Sequence, residues 1–137
     1  MYLTALAFDY GSKKIGVAVG QTLTKTATPL CIISSKEDIE PLIKSWKPNL
    51  IIVGMPYNTN GSSQEITKLA QNFADDLQIK FAEKYNLKII TVDERYTSLE
   101  AKQKFIELRK NKLIKQGENL DAIAAAIILE RWLQTQN

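Results

Sequence analysis

An acid set between two apolar strand patterns near the N-terminus constrains this chain more than any other feature. Leu3, Ala5, Ala7 and Asp9 alternate with Thr4, Leu6 and Phe8, so each set shares one face of a strand. Tyr10-Gly11-Ser12-Lys13-Lys14 interrupts the pattern, and Ile15-Gly16-Val17-Ala18-Val19 resumes it. The arrangement predicts a hairpin over residues 2–9 and 15–20, with Gly11 supplying the positive φ that a tight turn often needs. Asp9 then stands at the mouth of a sheet, exposed enough to meet a cation and held firmly enough to aim it.

The remaining elements follow from period and punctuation. Pro29-Leu30-Cys31-Ile32-Ile33 reads as a third short strand, and Ser34 with Glu37 has capping-box spacing for a helix to about Trp46, stopped by Pro48. Leu50-Ile51-Ile52-Val53-Gly54 is the continuous apolar run of a strand buried on both faces. A loop rich in Asn and Gly, Pro56 to Gly61, leads to Ser62 and Glu65, a second capping pair. The helix it opens carries an apolar stripe of Ile66, Leu69, Ala70, Phe73, Leu77 and Phe81 and stops at Asn86. Lys88 to Asp93 is a fifth strand. Thr97 with Glu100 caps a further helix to about Arg109, and residues 110–118 are polar. The last helix, about Leu120 to Leu133, is apolar on most sides and should be largely buried. Three meander strands followed by αβαβαα give an α/β fold, a mixed five-stranded sheet with helices on its faces.

Length and composition narrow the chemistry. The 137 residues suit one domain spanning 1–137. The chain has no histidine, which excludes an imidazole base, a serine–histidine pair and histidine-ligated zinc. Carboxylates holding a hard divalent cation are the main chemistry left. Cys31 is the lone cysteine, so no intramolecular disulfide forms, and it reads as a small buried hydrophobe. No apolar run reaches the ~20 residues that span a bilayer. The N-terminus carries no signal-peptide pattern, and a reducing cytoplasm is the expected location. The net charge of +3 is mild, but its distribution favours a polyanion: Lys13 and Lys14 follow Asp9, and Lys102, Lys104, Arg109, Lys110, Lys112 and Lys115 crowd one segment.

Strand ends and helix starts offer three acidic positions: Asp9, the pair Asp93-Glu94, and Asp121. Adjacent strand residues face opposite sides, so one of Asp93 and Glu94 joins Asp9. Asp121 lies in the first turn of the last helix, where the helix dipole stabilises any acid. The core-like residues after it, Ala122-Ile123-Ala124-Ala125, are expected to draw it inward. Clustered carboxylates repel one another unless a cation sits between them, which makes a metal a prediction. Arg95 is either a partner for these acids or a phosphate clamp. Asn58 is either a turn former or a contact to substrate.

The ordered set Asp9-Tyr10-Gly11, Ile15-Gly16-Val17-Ala18-Val19, Val53-Gly54-Met55-Pro56, Asp93-Glu94-Arg95-Tyr96-Thr97-Ser98 and Asp121-Ala122-Ile123-Ala124-Ala125 resembles the YqgF/RuvX family of Holliday-junction-resolvase-like proteins over nearly the whole chain. Met55 and Tyr96 depart from residues common in that family without touching a carboxylate. The resemblance implies a ribonuclease H-like fold and a nuclease that processes the 5′ end of precursor 16S rRNA. It assigns Asp9, Glu94 and Asp121 as catalytic, metal-binding acids. The expected mechanism uses two Mg²⁺ or Mn²⁺ ions bridged by Asp9, with Lys13, Lys14, Asn58 and Arg95 contacting nucleic acid. The partner is RNA on pre-ribosomal particles, or branched DNA, with no membrane, and the protein is a monomer or homodimer.

Three rival readings exist. The Asp-Tyr-Gly turn also resembles the phosphate loop of actin-like ATPases and sugar kinases, but those close two lobes on ATP. A DNA junction resolvase keeps the same chemistry and needs a dimer to cut symmetrically. A non-catalytic nucleic-acid-binding module keeps the fold alone.

Overall fold

The computed structural model describes residues 3–11, 13–57, 64–94, 103, 107 and 120–136. In it, β1 (Thr4–Tyr10), β2 (Ile15–Gln21) and β3 (Thr26–Ile33) form an antiparallel meander, as their alternating patterns require. β4 (Leu50–Met55) runs parallel to β1, and β5 (Lys88–Asp93) runs parallel to β4. The order is β3-β2-β1-β4-β5, so β1 sits at the centre of the five-stranded sheet. Every residue of β4 is buried, in keeping with its unbroken apolar run. At the meander's edge the pairing shifts register between Val17↔Cys31 and Ala18↔Pro29. An edge strand is where Pro29, lacking an N–H, disturbs the ladder least.

The two faces of the sheet differ in the size of their side chains. On one face Leu6, Phe8, Val17, Ile51 and Val53 pack against Ile39 and Ile43 of α1 (Ile39–Trp46) and Phe73 and Leu77 of α2 (Glu65–Leu77). On the other, Ala5, Ala7, Ala18 and Ala27 lie with Leu50 and Ile52 beneath α3 (Leu120–Gln134). Small side chains let a helix approach the sheet closely, and α3 brings alanines of its own. Residues Ala122 through Leu129 are all buried, as the all-round apolar pattern of that helix predicts.

Several local expectations change. Gly11 is not left-handed; a Cβ there would stand 2.6 Å from the Lys14 carbonyl oxygen, so the turn needs glycine for space rather than for φ. The third strand begins at Thr26 rather than Pro29. The cap before α1 is Ser35, whose hydroxyl accepts from the Glu37 N–H at 3.1 Å and opens one tight turn, Lys36–Asp38, ahead of the helix. Lys47, left-handed at φ 48°, closes α1 one residue before Pro48. α2 starts at Glu65, and its partner in the expected capping pair, Ser62, lies outside the described residues. Leu69 is 39% exposed, and the buried stripe is Thr67, Ala70, Phe73, Ala74 and Leu77. The chain then continues through one wide helical turn, Gln78–Ala82, to left-handed Asn86 at φ 53°. Cys31 is only half-buried, though burial still pushes its thiol pKa up. The Thr97–Glu100 cap and the basic residues Lys102, Lys104, Arg109, Lys110, Lys112 and Lys115 lie outside the described residues.

Phe73 anchors the larger-residue face, 5.8 Å from the Phe8 ring edge-on and 5.1 Å from Tyr10. Phe73→Ala should destabilise the fold by ~3–5 kcal/mol, measured by urea denaturation. Glu40 ties α1 to the segment after α2: Lys84 Nζ and the Tyr85 hydroxyl both donate to its Oε2, at 2.8 and 2.5 Å. The Lys84 hydrogen bond, followed by that of Tyr85, holds the Glu40 carboxyl below its usual pKa. A depressed carboxyl stabilises the fold above its unfolded pKa, and that contribution fades as pH falls through the lower folded value. The urea midpoint of Glu40→Gln should therefore fall less steeply than that of wild type on acidification below about pH 4.3.

Candidate active site

The centre of the sheet delivers Asp9 to the carboxyl end of β1, on the face covered by α3. Its cross-strand partners are Gly16 on β2 and Gly54 on β4. Neighbouring strands lie ~4.8 Å apart, so these glycines flank Asp9 directly. Both clear space for other candidate residues. A Cβ on Gly16 would stand 2.0 Å from the Asp121 carbonyl oxygen and 2.8 Å from the Ala122 nitrogen. A Cβ on Gly54 would stand 2.7 Å from Glu94 Oε2 and 2.9 Å from Ile128 Cδ1. The first turn of α3 thus rests on the strand to one side of Asp9, and the Glu94 carboxylate lies over the strand to the other.

The choice between Asp93 and Glu94 follows from the pleat. Val92 pairs with Gly54 and packs on the α3 face, whereas Ile89 packs on the opposite one. Alternation sends Asp93 toward the α1/α2 face and Glu94 back toward Asp9. Glu94 Oε2 is a buried oxygen, as its place over Gly54 requires. Asp121 differs from the expectation that its neighbours would draw it inward. It is exposed while Ala122 to Leu129 are buried, and its backbone, not its side chain, is what meets the sheet. With its carbonyl oxygen against Gly16, Asp121 marks the edge of the buried part of the helix, and its side chain is left outside the core that Ala122 to Leu129 fill.

The three acids come from three elements to one patch of sheet, but they do not close. Among the described residues, no three acidic or cysteine side chains stand close enough to enclose a metal ion. The donor chemistry still fits a hard divalent cation, being carboxylate oxygen throughout. Lys13 and Lys14 are exposed on the turn that follows Asp9. Asn58 and Arg95 lie outside the described residues.

Two kinds of residue escaped the reading of the sequence. Gly16 and Gly54 read as strand residues, although glycine within a strand signals a close approach. Thr67 is the one buried polar side chain of α2. Its hydroxyl accepts from the Gln64 N–H at 3.0 Å and donates to the Pro56 carbonyl, fastening the helix to the chain just past β4.

The family model of RuvX, described as a Holliday junction resolvase, matches residues 3–135. The chain belongs to the RuvX family. Among RuvX relatives, a protein of Shewanella denitrificans is 40% identical over 142 residues, covering 99% of this chain and 97% of its own length. One from Coxiella burnetii (strain RSA 331) is 44% identical over 140 residues, covering 98% and 94%. Both are named as candidate pre-16S rRNA nucleases. Among solved structures, the fowlpox virus Holliday junction resolvase superposes with a TM-score of 0.63 at 13% identity, covering 97% of this chain and 99% of that one. Thermus thermophilus RuvC, in complex with a Holliday junction substrate, gives 0.54 at 12% identity, covering 96% and 93%. The shared architecture is the ribonuclease H-like fold.

The glycine contacts differ in what must yield. At Gly16 the obstacle is backbone, whereas at Gly54 it is the ends of two side chains. Gly16→Ala should cost at least ~2 kcal/mol in chemical denaturation and Gly54→Ala less, as overpacking against rigid atoms is the costlier kind.

Proposed function

We propose that this RuvX-family chain is a metal-dependent endonuclease that processes the 5′ end of precursor 16S rRNA. The observation that carries the proposal is the gathering of Asp9, Glu94 and the first turn of α3 around two strand glycines. The names of the relatives point to the same substrate.

In this reading Asp9, Glu94 and Asp121 hold Mg²⁺ or Mn²⁺. The bound metal supplies neutralisation of the scissile phosphate and acidification of a water, the activation that a histidine-free chain lacks. Each residue contributes differently to that arrangement. Asp9 is fixed by a central strand paired on both sides, so its backbone cannot drift from the phosphate. Glu94 presents an oxygen from a buried position, where an anion gains most from a cation beside it. Asp121 reaches from an exposed position at the start of α3, which lets it adjust as substrate arrives. Lys13 and Lys14 meet flanking phosphates at the turn, and Asn58 and Arg95 bind the same strand; such contacts give affinity without reading sequence.

No helix among the described residues is long and apolar enough to cross a membrane. A cytoplasmic location beside nascent ribosomal RNA fits the proposed substrate.

The test is cleavage of labelled RNA spanning a precursor 5′ region, in Mn²⁺, Mg²⁺ or EDTA. Wild type should cut only with metal, and Asp9→Asn should cut at least ~10²-fold more slowly. If both proteins bind the RNA and neither cuts with any metal, the nuclease reading gives way to a binding module. Cleavage confined to four-way DNA junctions would make the protein a resolvase instead.

A further inference from the structure

The opposite end of the sheet holds a cavity of about 350 Å³ between the C-terminus of α1, the start of β4 and the turn before β5. That volume falls within the ~300–1,000 Å³ of small-molecule sites. The partly buried Tyr85 ring, which also meets Lys84 Nζ at 5.4 Å and Phe81 at 6.1 Å, lines it on the apolar side above the buried Ile43, and Lys44, Lys47, Asn49 and Asn86 supply polar atoms. It belongs to neither the acid cluster nor the turn that follows Asp9. β4 separates the two ends, and its six residues span ~17 Å at strand rise.

Its polar groups are donors in the main. Asn49 Oδ1 already accepts from the Thr4 N–H at 3.1 Å, which leaves the side-chain NH₂ of Asn49 to donate outward. Lys44 and Lys47 form no ion pair among the described residues, whose two salt bridges are Lys36–Asp76 and Lys84–Glu40. Glu40 lies one turn before Lys44 and feels its charge, but its carboxylate is engaged by Lys84 and by the Tyr85 hydroxyl. The end of α1 opposes an anion with about half a negative charge. Two full ammonium charges outweigh that. Tyr85 is held by its hydroxyl bond to Glu40, so its ring is a fixed wall rather than a swinging one.

We propose that this cavity is a second binding site that takes a nucleotide unit. Lys44 and Lys47 hold the phosphate, the apolar wall with Tyr85 receives the base, and the amides of Asn49 and Asn86 bond to its edge. The unit comes either from single-stranded RNA that extends past the acid cluster or from a free nucleotide. The site does not depend on the nuclease reading, because it needs neither metal nor cleavage.

The experiment is titration of the isotope-labelled full chain, without metal, followed by amide NMR shifts. The probes are adenosine monophosphate, inorganic phosphate, adenosine, and a single-stranded RNA of about a dozen nucleotides, long enough to bridge the two ends at ~6 Å per residue of extended backbone. Adenosine monophosphate should move the amides of residues 43–49 and 85–87 and bind more tightly than phosphate or adenosine alone. The double variant Lys44→Gln/Lys47→Asn keeps a residue tolerant of left-handed φ at position 47. It should weaken adenosine monophosphate at least about tenfold, since two charge-assisted hydrogen bonds are lost and one alone is worth about that much, with the rest of the spectrum unchanged. RNA that shifts this region together with the Asp9 end identifies substrate as the source. RNA that leaves it untouched while the mononucleotide binds identifies a free nucleotide. Absence of shifts at residues 43–49 with every probe, or equal affinity in the double variant, overturns the proposal.

Discussion

The close approach of α3 to the sheet is the constraint on which the site depends. Alanines and glycines of β1 and β2 lie under that helix, and the helix answers with alanines. At Gly16 the contact is between backbones, with the Asp121 carbonyl occupying the place a side chain would take. Further along, Gly20 makes room for side chains of the helix instead, where a Cβ would stand 2.9 Å from Leu129 Cδ2. Larger residues on this face would lift α3 away and carry Asp121 with it. The face toward α1 and α2 has no such demand and is filled by Phe8, Val17, Ile51 and Val53. Packing density thus doubles as alignment: the helix that completes one core also sets where one acid begins.

Charge poses the second constraint. The protein is basic overall, yet its central patch gathers acids at the carboxyl end of parallel strands, where open α/β sheets place their sites. A phosphodiester and bare carboxylates repel each other, so the proposed nuclease chemistry requires a hard cation between them. Lys13 and Lys14 are exposed on the turn after Asp9, and two such charges raise the local potential beside the acids. At the far end of the sheet, Lys44 and Lys47 accompany the cavity instead, with no acid among its described lining residues.

Local patterns made much of the fold legible. The alternation of Leu3, Ala5, Ala7 and Asp9 against Leu6 and Phe8 corresponds to the two cores. The unbroken run of β4 is buried throughout, and Asn86 ends the second helical segment in a left-handed conformation. Helix starts were less legible: Ser35 caps where Ser34 has the spacing, and α2 begins at Glu65. Capping is decided by which hydroxyl the incoming chain places over the first free N–H groups, and spacing alone leaves neighbouring serines equivalent. Gly11 shows a related limit, since a glycine chosen for space looks the same as one chosen for φ.

What the sequence determined by itself was the inventory: strands and helices in order, an acid at the end of β1, two more near a strand end and a helix start, and no histidine to share their work. Those are properties of short segments, set by side-chain period and residue chemistry. Tertiary structure decided which acid of the adjacent pair faces Asp9. The pleat of β5 and its register against Gly54 turn Glu94 rather than Asp93 toward Asp9, a matter of one residue in pairing. The packing of α3 leaves Asp121 exposed at the edge of that patch, because the backbone contact at Gly16 fixes the helix start while the run of buried residues, Ala122 to Leu129, begins one residue later.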